Sequence, residues 1–202
     1  MLKTLALVAF LLVLCTACVS TPARYEGYYQ PAEQLYVNDT VGFRLTIPQY
    51  WVVTARRHDF TVPLALRPDQ EQVLEAYDPT SRLGLVIVVQ HGPLAPIAEL
   101  VQRMQAVPQE QVAQRLQNPQ ATGVRQTLIR RIVVNGLDTA EWIYTVTDTT
   151  AGTAVDMTVS SYILHVHGYY VYLTFSAPTT QSAAASAAIQ SMLHTFHLTS
   201  SI

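Results

Sequence analysis

"GVRQTLIRRIVVNGLDTAEWIYTVTD", residues 123–148, decides the fold. Its centre is Asn135-Gly136, and a two-residue Asn-Gly turn between apolar runs is a type I′ hairpin signal, because both residues tolerate positive φ. Alternation in the second arm puts Ala140, Trp142, Tyr144 and Val146 on one face of a strand. The stretch therefore predicts antiparallel pairing. After a turn at "TTAG", "AVDMTVSSYILHVHG" and "YYVYLTFSAP" predict a second hairpin around Gly168. In its last strand Tyr169, Val171, Leu173 and Phe175 face one way, and Tyr170, Tyr172 and Thr174 the other.

Upstream, "LYVND" and "GFRLTIP" predict short strands, the latter alternating Phe43, Leu45 and Ile47 against Arg44 and Thr46 until Pro48 stops it. "WVVTA" is a further strand, and "RRHDFTVPLALRPDQ" lacks a period and predicts a loop. "EQVLEAYDP" and "RLGLVIVVQ" predict a hairpin turning at Asp78-Pro79, with the second strand apolar on both faces and so central in its sheet. "PLAPIAELVQRMQAVP" places Ile97, Leu100, Val101 and Met104 at helical spacing, with Pro96 in the first turn and Pro108 beyond the end. "QEQVAQRLQNP" predicts a shorter helical piece. The chain closes on a helix that Thr179 or Thr180 would cap, with Ile189, Met192, Leu193 and Phe196 as its buried stripe. Strands, helix, strands, helix: the order predicts an α+β domain, an antiparallel sheet flanked by helices in a layered sandwich.

The bulk composition narrows function. The chain has 202 residues, half of them hydrophobic and only 13% charged, against about 25% in an ordinary soluble chain. Net charge is −2, and Arg56-Arg57 and Arg130-Arg131 are the longest basic runs, too short for a phosphate track, so nucleic acid is not an expected partner. Lys3 is the only lysine, which excludes P-loop chemistry and, once the N-terminus is removed, a Schiff-base lysine. Neither Gly-x-Ser-x-Gly nor His-Glu-x-x-His occurs.

The N-terminus reads as an address. "MLKT" carries one positive charge, and "LALVAFLLVL" is an apolar run too short to span a bilayer but right for a signal segment. It ends Cys15-Thr16-Ala17-Cys18, which resembles a bacterial lipobox, with small residues before the cysteine; Cys15 stands where leucine is usual. The resemblance implies a signal peptide over 1–17, cut before Cys18, which then carries a diacylglyceryl thioether. Each buried methylene adds about 0.8 kcal/mol, so two or three acyl chains hold firmly. Residues 18–34 follow as a tether containing Tyr25, Tyr28 and Tyr29, with the folded domain over 35–202. The expected location is the cell membrane or outer membrane, lipid-anchored and facing the periplasm or exterior. Val19 rather than aspartate after the cysteine fits outer-membrane sorting.

"YVNDTVGFRLTIPQYW" resembles the opening of PsbP-like domains: a short strand, then Gly-Phe, a proline and a tryptophan. The "GYYVYLTFSAP" strand and the helix finishing in "MLHTFHL" are similar to that family's ending, so the resemblance spans about residues 35–198. It implies a central antiparallel sheet with helices on both faces, and members that mostly act as binding or assembly partners rather than enzymes.

Several residues have the chemistry for a site. His165 and His167, two apart on one predicted strand, would share a face and could chelate a metal if a third ligand approached, with Asp156, His58, Asp59 and His91 elsewhere. His194 and His197 near the end of the last helix suit its negative pole. Asp138, Glu141, Asp148 and Asp156 could form a calcium-attracting edge. Tyr144, Tyr162, Tyr169, Tyr170 and Tyr172 crowd neighbouring strands; pointing outward they would make an interface, pointing inward they are core. No cofactor and no enzymatic activity are expected. Three functional readings stand. The first is a membrane-anchored, non-catalytic binding or assembly factor with an envelope protein partner. The second is a carrier of a small apolar ligand between sheet and helix. The third is a metal-binding protein or metal-dependent enzyme using His165 and His167.

Overall fold

A computed structural model describes residue 25 and residues 27–54, 66–109, 111–112, 121–149 and 153–199. The signal segment, Cys15, Cys18, the loop at Arg56 to Asp59 and most of the "QEQVAQRLQNP" piece lie outside the described residues. In chain order the elements are β1 (Tyr28–Gln30), β2 (Leu35–Asn38), β3 (Phe43–Thr46), β4 (Val52–Thr54), β5 (Gln70–Asp78), β6 (Leu83–Gln90) and α1 (Ile97–Gln105). They continue with β7 (Ala121–Val134), β8 (Leu137–Asp148), β9 (Val155–Val166), β10 (Tyr169–Pro178), α2 (Ser182–His194) and β11 (His197–Leu198).

Two antiparallel sheets result. The larger has seven strands in the order β4-β5-β6-β10-β9-β8-β7, and the smaller has four in the order β1-β2-β3-β11. The hairpins that the sequence predicts form as written. Asn135 and Gly136 take φ of +49° and +82°, the left-handed pair of a type I′ turn. β6 is buried along its whole length and lies between β5 and β10, as a strand apolar on both faces must.

The two faces of the large sheet are covered differently. On one, Leu85, Ile87 and Val89 of β6 and Leu173 and Phe175 of β10 meet two partners. These are the small sheet, through Tyr36, Phe43 and Leu45, and α2, through Ile189, Met192 and Leu193. Phe43 and Phe196, both fully buried, stack with ring centroids 5.3 Å apart. On the other face α1 sets Ile97 and Val101 against Ile129, Ala140, Ile163 and Tyr170. The architecture is α+β with helices on both faces, as expected. The additional feature is the small sheet, which takes β2 and β3 out of the central one because β11 returns to pair with β3.

Three local features differ from the sequence reading. The fold begins upstream of Leu35: β1 pairs with β2, and Tyr25 is buried in the main core, where its carbonyl accepts from Asn38 Nδ2 at 2.6 Å. Thr179 and Thr180 enter a short 3₁₀ turn instead of capping α2, whose N-cap is Gln181 with no side-chain cap. The C-terminus of α2, by contrast, is capped from a distance. Asn135 Nδ2, on the β7–β8 turn, donates to the carbonyls of Leu193 at 3.0 Å, His194 at 3.1 Å and Phe196 at 2.7 Å. Leu193 and His194 are in the last turn of α2, whose carbonyls lack partners within the helix, and Phe196 lies just beyond it.

Candidate functional site

The face under α1 is not filled. α1 has nine residues and so is about 14 Å long, whereas β8 and β9 have twelve each and run to about 40 Å. Beyond the contact with Tyr170 and Ile163 the helix leaves sheet uncovered, and a cavity of about 250 Å³ lies there. Its floor is Val88, Ile163, Trp142 and Tyr144 of the sheet, and Leu100 and Met104 of α1 form one wall. Val107 and Val112, after the helix, Leu66, before β5, and Ile129 of β7 add to the apolar lining.

A few neutral polar groups interrupt it. Ser161 and Thr174, both buried, are cross-strand partners on β9 and β10 and hydrogen-bond each other at 2.9 Å. Trp142 is the partner of Ser161 on the other side, so the three form one row across adjacent strands. The indole Nε1 of Trp142 is buried with no acceptor among the described residues. Tyr172 donates to Gln90 Oε1. Burial pushes the Tyr172 phenol up to about 12 and Tyr144 higher still, so both stay protonated at neutral pH. Among the described residues the one charged group at the cavity is Arg67, at the rim, 54% exposed and paired with Asp69 at 3.4 Å. The arrangement can hold a molecule. Among the described residues that line it there is no carboxylate, thiol or histidine to act on one.

The histidines of the sequence reading do not come together. β9 ends at Val166, so His167 is a turn residue with φ of +46° and leaves the strand's alternation. His165 packs edge-on against its cross-strand partner Tyr170, on the α1 side, with ring centroids 5.8 Å apart. His167 turns the other way, over Gly42 at the start of the small sheet, where a Cβ would come within 2.8 Å of the imidazole. The expectation of a shared face fails because the turn absorbs the second histidine. His194 stands in the last turn of α2, while His197 is on β11 instead of the helix. His91 lies beside Tyr25. Among the described residues no three His, Cys, Asp or Glu side chains are grouped to hold a metal.

The acidic edge is likewise dispersed. Glu141 is buried and paired with Arg130, Asp138 is paired with Arg131, and Asp156 accepts from Thr147 Oγ1 at 2.7 Å. Arg130 on β7 sits directly opposite Glu141 by register, while Arg131, registered with Ala140, reaches Asp138 diagonally on the other face, pairings that strand spacing alone does not reveal. Tyr144, Tyr162 and Tyr170 are buried and Tyr169 and Tyr172 are half-buried, so the tyrosine-rich strands make core and cavity instead of an outward patch. The carrier reading anticipates a pocket between sheet and helix but not its floor: Ser161 and Thr174 are on separate strands, and only the register aligns them with Trp142.

This architecture recurs among solved structures at low sequence identity. The solution structure of cyanobacterial PsbP from Synechocystis matches over 82% of this chain and 91% of its own, with a TM-score of 0.55 and 11% identity. The fold is the PsbP-like fold. Weaker likenesses are to LpqN of Mycobacterium tuberculosis, involved in cell envelope biogenesis (TM-score 0.38, 11% identity, 74% of this chain and 92% of that one), and to the Ran-binding protein Mog1p of Saccharomyces cerevisiae (TM-score 0.45, 10% identity, 78% and 90%). No family model matches the sequence, and no curated protein matches it. Within the PsbP-like fold described here, no helix among the described residues is long and apolar enough to cross a membrane.

Proposed function

We propose that this chain is a non-catalytic binding protein of the cell envelope, held at the membrane by acylated Cys18, that carries a small, largely apolar molecule in the cavity under α1. The observation that carries the reading is the cavity: about 250 Å³, apolar on most sides, with a few hydrogen-bonding groups at its floor, the usual composition of a small-molecule site. A protein-partner surface made by the tyrosine-rich strands loses its support because those rings point inward. A metal site at His165 and His167 loses its support because the two imidazoles turn to opposite sides of the sheet. The anchor rests on the signal-like run and on the small residues before Cys18.

Two measurements test the two halves. Metabolic labelling with a tagged fatty acid should mark the full chain, and Cys18→Ala should lose both label and membrane retention while Cys15→Ala keeps both. Native mass spectrometry of the protein released gently from membranes should show a bound small molecule that Leu100→Trp, which fills the cavity, excludes. Retained membrane attachment in Cys18→Ala overturns the anchor, and an empty wild-type cavity in a protein competent to fold overturns the carrier.

A further inference from the structure

Resting on the carrier reading, we infer that the ligand is uncharged and bears an oxygen acceptor, a hydroxyl or carbonyl at one end of an apolar body, seated on the Ser161–Thr174 pair. The first argument is a count of protons. Two hydroxyls joined by one hydrogen bond use one hydroxyl proton between them, and each hydroxyl has a donor and two acceptor sites. The second proton has no acceptor among the described residues, and both side chains line the cavity. The neighbouring Trp142, on the same row, lines the cavity too. Buried donors are nearly always matched, so a floor whose hydroxyl pair leaves one proton unmatched calls for an oxygen from the occupant.

The second argument is charge. Arg67 is exposed at the rim and already paired, and the other lining side chains among the described residues are neutral. An anionic head on the hydroxyl pair would be desolvated with no counter-charge, which costs several kcal/mol. A cation would meet no carboxylate there. The third argument is size. A cavity of about 250 Å³ lies at the lower end of ligand sites, roughly 300–1,000 Å³, and has no room for a two-chain lipid. A single short chain or one ring system fits.

The test uses octanol, octane and octanoate, which share a chain and differ in the head. Trp142 fluorescence reports binding to the full chain carrying Trp51→Phe, so that one indole remains. The paired variant Ser161→Ala/Thr174→Val removes both hydroxyls at nearly constant shape, which keeps the fold because neither partner is left unmatched. Octane serves as the folding control. We expect octanol to bind at least tenfold tighter than octanoate. We also expect the paired variant to weaken octanol about fivefold to tenfold, the worth of one hydrogen bond, while octane holds or improves. Octanoate binding as well as octanol, or a variant that leaves the octanol-to-octane ratio unchanged, would overturn the head-group assignment and leave the carrier reading intact. If none of the three binds the wild-type chain, the carrier reading falls and the assignment with it.

Discussion

One sheet here is packed in two ways. The face toward the small sheet and α2 is dry: Phe43, Leu45, Leu173, Phe175 and Phe196 are all fully buried there. The face toward α1 combines a tight patch around Ile163 with a cavity whose walls include half-buried Leu100 and Met104. Both faces belong to the same strands, so residue i supports the core and residue i+1 lines the hollow. Stability and binding are thereby separated along β10, with Leu173 and Phe175 on one side and Tyr172 and Thr174 on the other. A substitution can alter one role while sparing the other, which a site built into the main core would not permit.

The comparison can be broken at several points. The largest effect is expected from Phe43→Ala or Phe196→Ala, each deleting half of a buried stacked pair. Either should cost about 3–5 kcal/mol in denaturant unfolding, and a cost under about 1 kcal/mol would mean that this face is not dry. Next come matched overpacking changes. Leu173→Phe should destabilise by about 1–3 kcal/mol, whereas Leu100→Phe, beside the cavity, should cost less than about 1 kcal/mol. Equal losses would show that the hollow is not available to a larger side chain. Asn135→Ala should cost about 1–2 kcal/mol by stranding carbonyls at the end of α2 and by straining the left-handed turn. Asn135→Gly keeps the turn and isolates the loss of the cap.

A small effect at neutral pH is expected from Tyr172→Phe, about 1 kcal/mol for one hydrogen bond. Its signature is alkaline. Burial raises the folded phenol to about 12 from an ordinary value of 10, so the stability it contributes is whole below pH 10 and fades as pH climbs toward 12. Tyr144 and Tyr162 are shifted the same way by burial. Phenolate absorbance of these three should therefore appear together with unfolding, and Tyr172→Phe should move the alkaline midpoint upward. Early, non-cooperative ionisation of all the tyrosines would contradict their burial.

Local chemistry made most of the sheet legible. Asn135-Gly136 can hardly do anything but turn, and alternation from Ala140 to Val146 and from Tyr169 to Phe175 sorts residues correctly between the faces. What escaped depends on distance along the chain. The small sheet forms because His197 and Leu198 come back to Arg44 and Phe43, and no pattern within either segment announces the other. His167 was misplaced by one turn residue, enough to send its ring to the opposite side. The direct pair of Arg130 with Glu141 and the diagonal pair of Arg131 with Asp138 needed the register of β7 on β8. The cavity needed the length of α1 set against the strands it covers, together with the alignment of Ser161, Thr174 and Trp142 across three strands.

The small sheet has a consequence for biosynthesis. Its strand β3 is among the first parts of the domain to leave the ribosome, and its edge strand β11 among the last. Until residues 197–198 exist, β3 offers an open edge, and the large sheet lacks the helix that covers Leu173 and Phe175. A chain arrested or clipped before Ser182 would complete its seven long and short strands yet display the apolar surface that proteases and chaperones recognise. Pairing an early strand with the last one makes a completed domain the condition for a closed molecule.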